Sequence, residues 1–492
     1  MGNDAAGLLG GLRGELSVAS QQLDGARALE GATAAADLQR YLGFAPDVIV
    51  QSVGTGVWVV YLDHAVDMAR IESAVLRPLT SRQPGSEIPW PAQAKAVTTL
   101  GEAARHVLAG DLAVFQASLA GGVAIPAALW PLRTPAEPPT ETAVQGPHDG
   151  LIEDLGTNVA ILRHRLRHPG LRLETFYPGG PDGPKGLLLY VEGRVRPDLL
   201  ARVRRAVRRV RAPVINDVQM LAPWLAPWQG ALFPVLGLSG RPDTVVAALL
   251  AGRVTLLVDG SPLALLAPNV LSDLLHVPED YYQTFIAATA NRVLRVLGLF
   301  LTLVSSPVYV ALLTMNQELV PTPLFTSIIQ SRQSVPLAPL PEVLLLEVII
   351  EVIREAGLRL PGNLGQPVAI VGAVIIGQSA VTAGLISAPT IVVVAFAFIS
   401  SFVIPQPNLA ASLRYLRFPL ILTGAAFGIL GVTAGVLVIF AYLCSLTSFG
   451  EPYLVPFSPG RQRGLQDALW RVPLARLRSP MATRRSARFA RP

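Results

Sequence analysis

The feature that most constrains this chain is a stretch of fifty-four consecutive residues, 360–413, without a single Asp, Glu, Lys or Arg. A helix needs about 20 apolar residues to cross the hydrocarbon core of a membrane, so this stretch is long enough for two crossings. Pro389 and Thr390 lie where the chain could reverse. We therefore predict crossings at residues 366–386 and 390–404, and an integral membrane protein.

Two more uncharged segments, 296–315 and 418–450, predict a first and a last crossing. The segment 340–356 is apolar but contains four glutamates and one arginine. If it spans, the crossings total five and the C-terminal tail lies outside; if it is re-entrant or lines a cavity, they total four. We expect four and both chain ends in the cytoplasm, which predicts an α/β cytoplasmic N-terminal region followed by an α-helical transmembrane domain.

The distribution of charge supports this division. Charged residues make up 15% of the chain, against about 25% in soluble domains, and nearly all lie outside residues 296–450. The net charge of +6 comes from residues 451–492, which hold nine arginines and two acidic residues. A basic flank beside a membrane segment is typical of a cytoplasmic anchor. We expect membrane lipid as its partner and no nucleic acid.

Two strand-helix units in the N-terminal region resemble each other. Residues 57–63 (VWVVYLD) and 186–192 (GLLLYVE) are apolar strands ending in an acid, and each precedes an amphipathic helix. A second similar pair, 108–115 and 250–257, follows in the same order. These matches predict an internal duplication, giving two related α/β subdomains.

The composition also predicts the domain boundaries, because residues 135–140 are a stiff, Pro-rich linker. We predict a loose segment at 1–44, subdomain 1 at 45–134, a linker at 135–150, subdomain 2 at 151–283, a transmembrane helical domain at 284–450 and a basic cytoplasmic tail at 451–492.

Charges inside a membrane segment are costly and usually mark a path for ions or substrate. Glu347, Glu351 and Arg354 are spaced by three or four residues and therefore share one helical face. They are our first candidates for a pore or gate. The alternative is that Glu351 and Arg354 form an ion pair within an amphipathic helix that lies on protein.

Uncharged polar and small residues give further candidates. Gln378 and the neighbouring Ser379 lie in the central stretch, where packing alone explains most small residues, and we predict a pore or gate role for them. Glycines in the last apolar segment share a face with GxxxG spacing, which predicts helix packing and agrees with a homo-oligomer. These are Gly424, Gly428, Gly431 and Gly435.

No enzyme, metal or cofactor is predicted. Cys444 is the only cysteine, so the chain can form no internal disulfide and no cysteine-based zinc site. His164 and His168 could share a helical face, but three neighbouring arginines would repel a cation. The arginines of residues 202–211 lie on an amphipathic helix, which predicts a solvated or lipid-facing surface.

Several short motifs, in order along residues 146–459, resemble the GerA family of spore germination proteins. They are GPHDG (146–150), TN (157–158), RPD (241–243), LAGRV (250–254), VDG (258–260), PEDYY (278–282), REAGLRLP (354–361), IGQ (376–378), RFP (417–419) and SFG (448–450).

The resemblance implies the A subunit of a nutrient germinant receptor in the spore inner membrane, with its N-terminal region facing the spore core. It implies two partners, a transporter-like B subunit and a C-subunit lipoprotein. It further implies that A subunits form an oligomeric, ligand-gated cation channel that couples nutrient sensing to ion release. The alternatives are a germination-amplifying paralogue of the A subunit, or a secondary transporter with regulatory cytoplasmic domains.

Overall fold

The computed structural model describes most of the chain. The described residues are 27–29, 33–53, 56–80, 90–91, 93–117, 121–130, 146–180, 183–211, 215–226, 230–359, 372, 375, 377–458 and 470–471. Most of the predicted linker, much of the predicted crossing at 366–386 and most of the basic tail therefore lie outside the described residues.

Subdomain 1 is a five-stranded antiparallel sheet with helices against it. Its elements are α1 (Ala34–Tyr41), β1 (Val48–Ser52), β2 (Val57–Leu62), α2 (Met68–Ile71), a π-helical turn (Glu72–Leu76), α3 (Arg77–Thr80), β3 (Lys95–Val97), α4 (Leu100–Leu108), β4 (Leu112–Gln116) and β5 (Gly122–Ile125). Thr99 and Glu102 form a capping box at the start of α4, which fixes where this helix begins. Leu38 of α1 is fully buried, so the packed subdomain begins before residue 45.

Subdomain 2 is a second five-stranded antiparallel sheet. Its elements are α5 (Leu155–Arg165), β6 (Leu171–Phe176), β7 (Gly186–Val191), α6 (Pro197–Arg209), a 3-10 turn (Val218–Leu221), α7 (Ala222–Leu225), β8 (Gly237–Ser239), α8 (Pro242–Leu250), β9 (Val254–Val258), β10 (Ala264–Ala267), α9 (Leu271–Leu275) and a 3-10 turn (Pro278–Tyr281). All six residues of β7 are buried, which explains its uninterrupted apolar sequence.

The two sheets have the same strand order. It is β1-β2-β4-β5-β3 in subdomain 1 and β6-β7-β9-β10-β8 in subdomain 2. The two sequence matches fall on equivalent strands, β2 with β7 and β4 with β9. The shared topology supports the predicted duplication. The subdomains share one hydrophobic cluster and a buried ion pair, in which Arg163 Nε donates to Asp47 Oδ2 at 2.8 Å.

The C-terminal half is helical. Its elements are α10 (Phe285–Thr314), a 3-10 turn (Gln317–Leu319), α11 (Thr322–Arg332), α12 (Pro339–Arg359), α13 (Ala388–Phe402), α14 (Pro407–Ser445) and the strands β11 (Thr447–Ser448) and β12 (Glu451–Pro452). Residues 377–382 are also helical. Among the described residues, α10 and α14 are long and apolar enough to cross a membrane. The predicted α/β region followed by a helical region is confirmed.

Helix α14 is a hairpin. Gly428 has φ 61° and ψ −148°, which are not helical angles. A β-carbon built on Gly424 would lie 3.0 Å from Val432 Cγ2, and one on Gly435 would collide with Leu420. Residues eight positions apart in a straight helix are separated by about 12 Å, so the chain must reverse at Gly428. The expectation of one crossing within 418–450 therefore becomes two antiparallel arms.

Both arms of this hairpin end at the N-terminal region. Ser412 in the first arm donates a hydrogen bond to the Leu232 carbonyl, and Tyr442 in the second accepts one from the Leu232 N–H. Beyond the second arm, the Ser448 hydroxyl donates to the Val235 carbonyl at 2.6 Å. The residues that follow the last helix thus pack on the same side as the N-terminal region.

Candidate functional site: a buried charge ladder

Helix α12 places three glutamates against neighbouring helices. Glu342, Glu347 and Glu351 face α11, α10, α13 and α14, and the first two are almost fully buried. Their spacing corresponds to about 7 Å between successive carboxylates along the helix. We call these three glutamates and their arginine partners Arg332, Arg417 and Arg414 the charge ladder.

The middle rung joins α12 to two other helices. Glu347 Oε1 accepts a hydrogen bond of 2.7 Å from the Ser306 hydroxyl of α10 and lies 3.1 Å from Arg417 Nη1 of α14. Glu347 and Arg417 are each 1% exposed. Because opposite charges attract strongly where water is excluded, this rung fixes α12 against α14.

The rung nearest the N-terminal region is shared by two arginines. Glu351 pairs with Arg354 one turn along its own helix and with Arg414 of α14, whose Nε lies 3.1 Å from Glu351 Oε1. The predicted intrahelical pair is therefore present, and a second helix joins it. Further along α12, Glu355 pairs with Arg359 on the exposed surface, outside the ladder.

The third rung continues into a chain of hydroxyl groups. Glu342 pairs with Arg332, and its Oε1 accepts hydrogen bonds from the Ser387 N–H and hydroxyl at 2.6 and 2.7 Å. The Ser387 hydroxyl lies 2.9 Å from that of Thr390, which lies 3.1 Å from the Tyr309 hydroxyl. This chain links α12 through α13 to α10.

Some buried polar atoms of the charge ladder make no hydrogen bond with the described residues. Arg417 Nε and Nη1 are buried and make no hydrogen bond with any residue that the structure describes. The contact between Arg414 Nε and Glu351 Oε1 also lacks hydrogen-bond geometry. A buried charge held by proximity alone is costly.

The other candidate residues lie apart from the ladder. Gln378 and Ser379 are exposed in the single chain. Gly424 packs closely on α10, because a β-carbon there would lie 2.8 Å from the Pro307 carbonyl oxygen. Gly431 and Gly435 face the opposite arm of the hairpin. In the described residues, the glycine face therefore makes contacts within one chain.

A second charged cluster lies where subdomain 2 meets α10. Asp280 Oδ2 accepts hydrogen bonds from Arg292 Nε at 3.0 Å and Arg295 Nη1 at 2.8 Å. Arg471 of the tail donates to the Gln283 carbonyl at 2.6 Å, and its guanidinium and that of Arg292 each lie 5.7 Å from the Tyr281 ring. This cluster connects the start of the first apolar helix to the end of subdomain 2 and to Arg471 of the C-terminal tail.

Sequence reasoning found two carboxylates of the ladder but missed their partners. Its candidate site residues include neither Arg414 nor Arg417, and Glu342 counts there only as one of the four glutamates of residues 340–356. The available signal was their position: both arginines lie between long uncharged stretches, where an isolated charge requires a buried partner. The partner itself cannot be read from the sequence, because Glu347 and Arg417 are separated by 70 residues.

This arrangement is a doubled α/β region joined to a helical region, in which two helices of the described residues are long and apolar enough to cross a membrane. The chain belongs to the GerA family of spore germination proteins, because the family model described as "Bacillus/Clostridium GerA spore germination protein" matches residues 36–482. This is the family of spore germinant receptor A subunits, and its members are membrane-associated in spores.

Curated relatives agree with this assignment. Spore germination protein KA of Bacillus subtilis (strain 168) is 38% identical over 69% of this chain and 63% of its own length. Spore germination protein A1 of the same organism is 36% identical over 77% of this chain and 79% of its own. The chain thus matches less than two thirds of the first of these relatives.

A solved structure was also matched. The N-terminal domain of the A subunit of the Bacillus megaterium spore germinant receptor GerK3 is 18% identical, with a TM-score of 0.39, over 50% of this chain and 98% of that domain.

Proposed function

We propose that this chain is the membrane subunit of a spore germinant receptor, and that copies of it form a ligand-gated cation channel in the spore inner membrane. Its N-terminal region faces the spore core, and a transporter-like B subunit and a C-subunit lipoprotein are its partners. Nutrient sensing by the complex is coupled to ion release. We expect no enzymatic activity, cofactor or metal.

The observation that carries this proposal is the Glu347–Arg417 rung. Both groups are 1% exposed, and two nitrogen atoms of Arg417 make no hydrogen bond with the described residues. A charge pair of this kind inside apolar helices is expensive for a purely structural purpose. In our proposal, the Glu347–Arg417 pair stabilises the closed state of the channel. Opening moves α12 relative to α14, and both charged groups become hydrated.

The pore itself requires a different surface. The ladder lies inside one chain, whereas Gln378 and Ser379 are exposed on residues 377–382. We assign the gate to Glu347, Glu351 and Arg354, and the pore lining between copies to Gln378 and Ser379. Uncharged polar side chains offer ligands to a partly hydrated monovalent cation.

Single-channel recording of the protein in planar bilayers, with and without its partner subunits, tests the proposal. Glu347→Gln should raise the open fraction because the rung loses its charge pair. Gln378→Ala should change the unit conductance without that effect. Glu355→Gln is the matched control, since Glu355 lies on the same helix but pairs with Arg359 on the exposed surface. Normal nutrient-triggered ion release in spores with both test variants, at normal protein levels, would contradict these roles.

A further inference from the structure

Helix α6 carries a row of exposed arginines that the charge ladder does not involve. Arg202, Arg205 and Arg209 are exposed and spaced by three and four residues, which places them on one face. Leu199 and Val203 face the core of subdomain 2. Within the described residues, none of the three arginines has a carboxylate at ion-pair distance, whereas the adjacent Arg204 pairs with Glu174.

This row begins beside the end of the last apolar helix. The Arg202 guanidinium packs against Gly450, in the turn between β11 and β12, and Arg196 Nη1 lies 2.6 Å from Glu451 Oε1. Strand β11 starts at Thr447, two residues after α14 ends. The Arg202 end of α6 is therefore held close to the level at which the chain leaves the membrane.

Neighbouring side chains continue the same surface. Helix α6 packs on α7, where Trp224 is 41% exposed, and Leu232 further along the chain is 55% exposed. The backbone of Leu232 is hydrogen-bonded to Ser412 and Tyr442, at the ends of the α14 hairpin. Exposed tryptophan beside membrane helices is typical of the headgroup layer.

We propose that the α6 arginine face binds the anionic headgroups of the adjoining membrane leaflet. The Arg202 end of the face lies next to the turn that follows α14, and the field of an anionic membrane surface extends over a Debye length, about 8 Å at physiological ionic strength. Each arginine near an anionic surface strengthens association about fivefold. Among the described residues, no carboxylate pairs with these three arginines. Headgroup phosphates would supply the negative charge that pairs with them. The site anchors subdomain 2 independently of channel activity.

Hydrogen exchange of the full chain in nanodiscs tests this proposal. We expect exchange of α6 amides to be slower in nanodiscs containing phosphatidylglycerol than in pure phosphatidylcholine, and the difference to vanish at high salt because the field is screened. The variant R202Q/R205Q/R209Q should lose this lipid dependence. R205Q/R209Q should lose much of it while leaving the Arg202 contact with Gly450 intact.

The matched control removes the same charge elsewhere. R40Q/R70Q/R105Q neutralises three exposed arginines of subdomain 1 and should retain the lipid dependence of α6. Exchange in β7, which is buried, reports whether each variant is folded. Equal α6 exchange in the two lipids would overturn the proposal and indicate that the face is solvated. Protection that appears only when partner subunits are added would also overturn it and indicate that the face binds protein.

Discussion

The Arg292 guanidinium donates a hydrogen bond of 3.0 Å to the Asp280 carboxylate, and each of these side chains is 1% exposed. Asp280 lies in the last turn of subdomain 2, and Arg292 lies two turns into α10. A movement of the subdomain therefore acts directly on the first apolar helix. Arg295 donates to the same carboxylate oxygen, so the connection consists of one carboxylate and two guanidinium groups.

Asp280→Ala should destabilise the protein by about 3–5 kcal/mol, because two arginines would lose the buried carboxylate that they share. Thermal unfolding followed by fluorescence-detected size exclusion measures the loss. Asp198→Ala is the control, since Asp198 is 56% exposed in its pair with Arg196, and such pairs contribute at most about 1 kcal/mol. Equal melting temperatures for the two variants would contradict a buried connection at Asp280.

A double substitution separates the structural and gating roles of the middle rung. Glu347→Leu and Arg417→Met should each destabilise strongly, since each leaves one uncompensated buried charge, whereas the double variant should recover most of the stability. If the rung is the gate, the stable double variant still loses nutrient control of ion release. A double variant with normal melting and normal germination would show that the rung has no part in gating.

Gly428→Ala should destabilise the hairpin by at least about 1–3 kcal/mol, because its backbone conformation is essentially restricted to glycine. The added β-carbon would also lie 2.9 Å from Met315 Cβ. Gly372→Ala is the matched control, as a β-carbon there would have no atom of the described residues within 4 Å. Yield of monodisperse protein and melting temperature are the readouts. A Gly428→Ala protein that melts like Gly372→Ala would rule out the reversal at this residue.

Asp243 should make the free energy of unfolding of subdomain 2 depend on pH in the acidic range. Burial raises the pKa of its carboxyl, but the hydrogen bonds from Arg241 at 3.1 and 2.8 Å, the charges of Arg241 and Arg165 and the hydrogen bond from the Thr244 N–H together outweigh burial and lower the pKa overall. A carboxyl whose pKa falls on folding stabilises the protein above its unfolded pKa, about 3.9. This contribution is lost as the pH falls through the lower folded value.

Asp243→Asn should therefore reduce the melting temperature at neutral pH and flatten its decline below about pH 4. The measurement is thermal unfolding across an acid pH series. Glu72→Gln serves as the control because Glu72 is 60% exposed in its pair with Arg77. An Asp243→Asn curve parallel to that of the unsubstituted protein would contradict the assignment.

Local patterns were enough to predict much of the fold. The apolar runs at 57–63 and 186–192 identified β2 and β7, because strands buried on both faces carry continuous apolar sequence. The predicted crossing at 390–404 overlaps α13, Ala388–Phe402, which is an apolar helix of 15 residues and shorter than the helices that are long enough to span a membrane. Its role as a crossing stays a prediction. The duplication was predictable because equivalent strands of the two sheets are buried in the same way and therefore have similar apolar sequences in the same order.

The hairpin and the ladder partners could not be predicted in the same way. GxxxG spacing has the same appearance in a straight helix and in two arms that pack on each other, so the reversal at Gly428 left no distinct pattern. It depends on a distant contact, in which the Ile429 N–H donates to Asn316 Oδ1 at 2.8 Å. The arginine partners of α12 likewise depend on how α14 returns beside it.

The return of α14 also bears on biogenesis. Tyr453 is fully buried in the core of subdomain 2, and its carbonyl accepts a hydrogen bond from the Leu271 N–H. A ribosome delivers residue 453 only after every membrane helix has been made. Subdomain 2 therefore cannot complete its own core until the membrane helices have been synthesised, and a chain that ends within the membrane region would leave this core incomplete.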